Sequence, residues 1–244
     1  MSRFFAPREN IKGDTIYIDG QEARHIINVM RLAINDKVVV FDGTGKEYVG
    51  FIKEMKPRAL SVGIVETRIP KAEQLPSITL AQSLPKKDKM DYIVEKSTEL
   101  GVTSILPVIS ERTVTRLDEA KSDERLKRWQ RIAKEASKQC GRQDIPEIKS
   151  IKKYYNAVDN IDKYDLTLMA CLSEETTSIK QAIRDFNTGK IIIFIGPEGD
   201  FTPDEIRLAK DNSSCKFISL GRRVLKSDTA GLYLLSILNY ELST

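Results

Sequence analysis

Lys190–Ile206 reads KIIIFIGPEGDFTPDEI, and Lys216–Leu238 reads KFISLGRRVLKSDTAGLYLLSIL. Each stretch joins a short apolar run to a glycine-bearing loop and then to a helix start. Ile191–Ile195 is an unbroken apolar run, mostly β-branched, the pattern of a parallel strand covered on both faces. Gly196 and Gly199 bracket Pro197-Glu198 in a turn-like sequence. Thr202-Pro203-Asp204-Glu205 is a capping box with proline at the first helical position. In the second stretch Gly221 ends the strand, and Ser227 or Asp228 is placed to cap a helix beginning near Thr229. Loops of this kind lie at the carboxyl ends of strands in open α/β sheets, where ligands bind, so the two predict one shared pocket.

Neither loop carries a phosphate fingerprint, GxxxxGK[ST] or GxGxxG after a strand. Glu198 stands where a phosphate cradle avoids negative charge, because anions favour bare amides at helix N-termini. A neutral or cationic ligand is the better match, and S-adenosylmethionine, a sulfonium without phosphate, meets that constraint. The alternative is a structural turn with a solvated glutamate. Arg222, Arg223 and Lys226 add positive charge beside the same pocket. The last helix carries Ala230, Leu234, Leu235, Ile237 and Leu238 with few charges, as a core helix or a subunit interface would.

Working outward, strands at Ile78–Leu84, Ser104–Ile109, Leu166–Cys171, Ile191–Ile195 and Lys216–Ser219 alternate with helical patterns. One such helix runs from about Lys87 to Leu100, with Gly101 as its C-cap. The alternation predicts an α/β domain with a mainly parallel sheet over 77–244. Residues 1–70 are β-rich instead. Strands are expected at Thr15–Ile18, Lys37–Phe41, Tyr48–Met55 and Leu60–Val65, with a short helix at Glu22–Met30. Asp42-Gly43-Thr44-Gly45 supplies a hairpin turn, and a small barrel is the simplest way to close such strands. Residues 71–76, set between Pro70 and Pro76, predict a linker.

At 244 residues the chain can bury one large or two modest cores, and 41% apolar with 30% charged residues is a globular composition. No apolar run is long enough to span a membrane, and the first residues lack a signal-peptide core, so a cytoplasmic protein is expected. Cys140, Cys171 and Cys215 are scattered and suit reduced thiols. His25 is the only histidine, which argues against a histidine-based metal site or triad; no metal is expected. The net charge of +4 is unevenly placed. On a helix spanning 125–142, Lys127, Arg131, Lys134, Lys138 and Arg142 form one stripe, while Trp129, Ile132, Ala133, Ala136 and Cys140 face the other way. A basic ridge of this kind suits an anionic partner, nucleic acid first, or is simply a solvated face.

Taken together, the motifs resemble the ribosomal RNA small subunit methyltransferase E family of the SPOUT (trefoil-knot) methyltransferases. The resemblance is carried by Arg3-Phe4-Phe5, His25–Leu32, Lys96–Val102, Ser110-Glu111-Arg112, Glu135–Arg142, Ile195–Gly199 and Leu220–Ala230, in that order. It implies a PUA-like β-barrel, a knotted α/β domain and a homodimer. It also implies methyl transfer from S-adenosylmethionine to N3 of a uridine in 16S rRNA, free or in the 30S subunit. The cofactor pocket would use Leu168, Met169, Ala170 and Cys171, then Gly196, Pro197, Glu198 and Gly199, then Leu220, Gly221 and Leu225. Arg112 or Lys226 would stabilise the uridinate, and Asp228 or Glu198 would take the proton. RNA would be gripped by Arg3, Arg24 and Arg31 and by the Lys127–Arg142 stripe.

Two departures mark this chain. The family's usual Arg-x-Glu-Thr-Ala stands as Lys226-Ser227-Asp228-Thr229-Ala230, which loses a bidentate fork and shortens an acid. Asp200 stands where a second glycine is common. The competing readings are a non-enzymatic RNA-binding or ribosome-assembly protein, a nucleotide-dependent α/β enzyme, and a related methyltransferase acting on tRNA or 23S rRNA.

Overall fold

The structure, a computed structural model, describes residues 2–69, 75–86, 89–114, 119–173, 175–211 and 215–242. Most of the expected linker, residues 71–74, and the expected helix start at 87–88 lie outside the described residues. The chain divides into two compact units. Unit 1 is Met1–Glu73 with Ser137–Ile145, and unit 2 is Gln74–Ala136 with Pro146–Thr244.

Unit 1 holds β1 (Arg3–Phe5), β2 (Ile11–Lys12), β3 (Thr15–Asp19), α1 (Gly20–Arg24), β4 (Lys37–Phe41), β5 (Glu47–Lys56) and β6 (Ala59–Arg68). They form one sheet in the order β1-β4-β5-β6-β3-β2, antiparallel except for β1 beside β4. Alternation along the strands puts Ile16, Ile18, Val38, Val40, Leu60 and Val62 into one core with Phe4, closed by Ala23 and Ile26. The helix expected at Glu22–Met30 is two pieces, α1 and a π-helical turn at His25–Val29. The wide turn leaves Ile26 fully buried while Val29 and Met30 face outward. The β4–β5 turn is organised by Asp42, whose carboxylate accepts hydrogen bonds from the Thr44 and Lys46 amides at 2.8 and 3.4 Å. Gly43 and Gly45 supply the positive φ values of 78° and 101° that the turn requires.

Unit 2 holds β7 (Ser77–Ser83), α2 (Lys89–Glu99), β8 (Ser104–Ile109), α3 (Glu119–Cys140, whose last residues group with unit 1), β9 (Glu147–Ile148), β10 (Lys152–Lys153) and α4 (Tyr154–Val158). It continues with β11 (Leu166–Ala170), β12 (Thr177–Ser178), α5 (Ile179–Ala182), β13 (Lys190–Ile195), α6 (Pro203–Lys210), β14 (Cys215–Ser219) and α7 (Ser227–Leu242). The sheet order is β10-β8-β7-β13-β11-β14-β12 with β9 also on β8, and every pairing is parallel. This is the mainly parallel α/β architecture expected from the alternation. Ile191–Ile195 is buried throughout, as a strand covered on both faces must be. Trp129, 2% exposed, anchors α3 and donates its indole N–H to Asp91 of α2 at 3.1 Å. Among the described residues no helix is long and apolar enough to cross a membrane.

Candidate cofactor site

Register fixes where the functional loops emerge. Ile195 of β13 stands opposite Ala170 of β11 and Gln82 of β7, and Ala170 stands opposite Ile218 of β14. The carboxyl ends of β7, β13, β11 and β14 therefore lie abreast. Beyond them is a cavity of about 250 Å³ walled by residues 170–172, 195–198, 200, 219–221, 223–227 and 230. Of the predicted set, Ala170, Cys171, Gly196, Pro197, Glu198, Leu220, Gly221 and Leu225 line it together, joined by Lys226. Leu168 and Met169 do not line it, because they are fully buried inside β11.

The first loop is shaped by tight contacts. The capping box at Thr202 forms as expected: its hydroxyl accepts from the Glu205 amide, and the Glu205 carboxylate accepts from the Thr202 amide. A Cβ on Gly196 would stand 3.1 Å from Asp200 Oδ1 and 3.3 Å from its Cα. Gly199 sits outside the cavity lining because Arg112 lies over it; a Cβ there would meet Arg112 Cδ at 3.2 Å. Arg112 itself donates to the Gly199 carbonyl at 2.6 Å and reaches the Phe201 carbonyl at 3.5 Å. Its guanidinium grips the back of the loop and is not among the cavity-lining groups. Arg112→Ala is expected to weaken cofactor binding about tenfold, the loss of one charge-assisted bond. Calorimetric titration measures it.

Asp228 also lies off the lining. It is half-buried at the start of α7 and pairs with Lys89 Nζ at 3.3 Å, which stands 3.8 Å from Glu198. Lys89 and Asp200 carry no motif signal that sequence reasoning ranked as a site. Asp200 has φ 59°, the left-handed conformation that explains why glycine is common at this place. Its carboxylate accepts from the Leu172 amide at 2.9 Å and the Phe201 amide at 2.8 Å, tying the loop to the 171–173 segment.

The donor set fits S-adenosylmethionine better than a nucleotide. Glu198 and Asp200 stand in the wall, and neither loop carries a phosphate-binding motif, so a sulfonium is the better match. Ile195, Pro197, Val224, Leu225 and Ala230 supply apolar surface for an adenine ring. Cys171 in the wall is held neutral because burial raises its pKa, and burial together with Cys171 pushes Cys215 up to about 12. Between the ordinary thiol value of 9.0 and that value, the folded chain keeps a Cys215 proton that the unfolded chain has lost. Stability is therefore expected to fall as pH rises above about 9. At pH 8, iodoacetamide should label exposed Cys140 while Cys171 and Cys215 react only after unfolding. Peptide mass mapping reads this directly.

The model of the RNA methyltransferase domain family matches residues 72–239, and that of the RNA methyltransferase PUA domain matches residues 18–65. A ribosomal RNA small subunit methyltransferase E from Bacillus subtilis is 29% identical over 251 residues, covering 99% of this chain and 97% of the relative. The crystal structure of a ribosomal RNA small subunit methyltransferase E from Neisseria gonorrhoeae, bound to S-adenosylmethionine, superposes with TM-score 0.86 at 32% identity, covering 99% of this chain and 98% of that one. The chain belongs to the ribosomal RNA small subunit methyltransferase E family. A methyltransferase structure from Legionella pneumophila, in complex with the cofactor SAM, gives TM-score 0.87 at 30% identity, covering 98% and 97%.

The basic residues expected to grip RNA differ in exposure and in ion pairing. Arg24, Arg31, Lys127 and Arg131 are exposed, and Lys134 is half-buried. Arg3 is held inside unit 1, ion-paired to Glu47 at 3.1 Å, stacked 4.4 Å over Phe41 and bonded to the Arg142 carbonyl. Lys138 pairs with Glu22 at 2.9 Å, and Arg142 with Asp144 at 2.6 Å, both largely covered. The even stripe expected over 127–142 thus breaks near its end: α3 stops at Cys140, and Gly141 turns the chain at φ 84°. Cys140, expected on the apolar face, is exposed at the end of α3.

Proposed function

We propose that this chain transfers the methyl group of S-adenosylmethionine to N3 of a uridine in small-subunit (16S) rRNA. The observation that carries the proposal is the cavity at the carboxyl ends of β13, β11 and β14, built from two glycine loops that carry neither phosphate-binding motif. Membership of a family named for methylation of small-subunit ribosomal RNA, and relatives solved with the cofactor bound, support the same reading. The cofactor supplies an electrophilic methyl group. The chain's own residues bind and orient it: the two loops offer backbone N–H and C=O groups, and the apolar wall excludes water.

Uridine N3 carries a proton that must leave before its lone pair can attack. Lys226, the cation at the cavity wall beside α7, stabilises the negative charge that develops on the base. The proton passes to one of the two acids beside Lys89, Glu198 in the cavity wall or Asp228 at the start of α7. Arg112, occupied with the Gly199 and Phe201 carbonyls, acts by shaping the loop. Arg24, Arg31, Lys127 and Arg131 contact phosphates, and the target base enters unpaired or flipped.

The chain works as a homodimer in the cytoplasm, with exposed Tyr233 and Tyr240 of α7 in the subunit interface. Light scattering should give twice the chain mass. Incubation with radiolabelled S-adenosylmethionine tests the function: label should enter small-subunit rRNA or 30S particles and not tRNA or 23S rRNA. Binding to rRNA should weaken steeply with salt, with a log–log slope of about −3 to −4 for four phosphate contacts. A flat salt dependence would remove these residues from the RNA interface.

A further inference from the structure

A buried polar chain links both cofactor loops to a strand outside the cavity. Gln82, on β7, is fully buried, and its Nε2 donates to Ser227 Oγ at 2.9 Å and to the Ser83 carbonyl at 3.1 Å. Ser227, 5% exposed, donates its hydroxyl to the Gly196 carbonyl at 2.5 Å. Gly196 opens the first loop and Ser227 opens α7 after the second; both line the cavity, and Gln82 does not. One serine hydroxyl therefore joins the two loops, and its orientation depends on the Gln82 amide.

The other end of that amide is unsatisfied. Gln82 Oε1 is buried with no hydrogen-bond donor among the described residues, and it lies 3.2 Å from where a Cβ on Gly231 would stand. A buried, unpartnered carbonyl oxygen destabilises the fold, and an apolar side chain of the same length would not carry that cost. The stranded oxygen offsets what the two donated bonds contribute, so stability is a weak reason for glutamine here. The donor end gives a stronger one: without it the Ser227 hydroxyl can rotate away from Gly196, and the spacing of the loops loosens.

We propose that Gln82 is a positioning residue of the cofactor site, acting through Ser227 to hold the 196–200 loop and the start of α7 at the spacing the cofactor needs. This rests on the cofactor reading above. The test is calorimetric titration of S-adenosylmethionine and S-adenosylhomocysteine into wild type, Gln82→Met, Ser227→Ala, Ser227→Thr and the Gln82→Met/Ser227→Ala double variant, with a thermal melt of each. Gln82→Met should bind both ligands about tenfold more weakly while its Tm stays level or rises. Ser227→Thr, which keeps the hydroxyl, should bind both ligands more tightly than Ser227→Ala. The double variant should be no weaker than Ser227→Ala alone, because both remove the same link.

Gln82→Met binding within twofold of wild type would overturn the proposal. A Tm that falls along with affinity, with multiplying losses in the double variant, would overturn it equally by reducing Gln82 to a packing residue. If wild type bound neither ligand, the cofactor reading itself would fail, and that result is separate from the other two.

Discussion

Lys226→Met is expected to lower kcat for methyl transfer about 100-fold while the Kd for S-adenosylmethionine stays within about threefold. The backbone at this residue is held independently of the side chain: its carbonyl accepts from the Thr229 and Ala230 amides at 2.9 and 2.8 Å. The side chain is exposed at the cavity wall, so its removal leaves no buried partner stranded. What the variant loses is a cation placed where negative charge develops on the pyrimidine, an interaction made in the transition state and not with the bound cofactor. Single-turnover rates with saturating rRNA separate these quantities. Lys226→Arg should retain activity within a few fold, since it restores the residue usual in the family and keeps the charge. Equal losses in kcat and cofactor affinity would reassign Lys226 to binding, and an unchanged kcat would pass the role to Arg223, the other cation of the wall.

Gly50→Ala should destabilise unit 1 by about 3 kcal/mol or more, far beyond an ordinary strand substitution. Gly50 is buried in β5 where the register with β6 shifts, between Val49 and Gly50. A Cβ there would stand 2.3 Å from the Gly63 carbonyl oxygen and 2.8 Å from Val62 Cγ1. Backbone cannot yield as a side-chain tip can, so the bulge and the longest ladder of the sheet must move. Gly63→Ala makes the matched control. Its Cβ would also collide, at 2.1 Å, but with Lys53 Cε, which can swing into solvent. Urea unfolding followed by circular dichroism should separate the two variants by at least 2 kcal/mol.

How much of this was legible beforehand follows from the range of each interaction. The parallel sheet, its central strands and the Thr202 capping box are written in contiguous residues, and the structure places them within a residue or two of expectation. The strands β1, β2, β9, β10 and β12 are only two or three residues long and carry no period to read. Helical spacing grouped Lys138 and Arg142 with Lys127, Arg131 and Lys134 of α3, but spacing does not reveal that Glu22 and Asp144 occupy their charges. Gln82 reads as an ordinary strand residue, and only the folding of α7 over β7 gives its amide a partner 145 positions away. Arg112 carried a motif signal, yet its contact with Gly199 across 87 positions decides that it holds the loop. Local chemistry was readable, while the assignment of charges between carboxylate partners and solvent was set by tertiary structure.

Methyl transfer to uridine N3 in small-subunit rRNA leaves a product that nucleoside mass spectrometry identifies. Unmodified 30S subunits and protein-free 16S rRNA would be incubated with the protein and methyl-labelled S-adenosylmethionine, digested and resolved against standards. Labelled 3-methyluridine in either substrate is the predicted result, and the substrate that carries it identifies the physiological form. Label in another nucleoside, or none in RNA from a protein that binds S-adenosylhomocysteine, would contradict the claim.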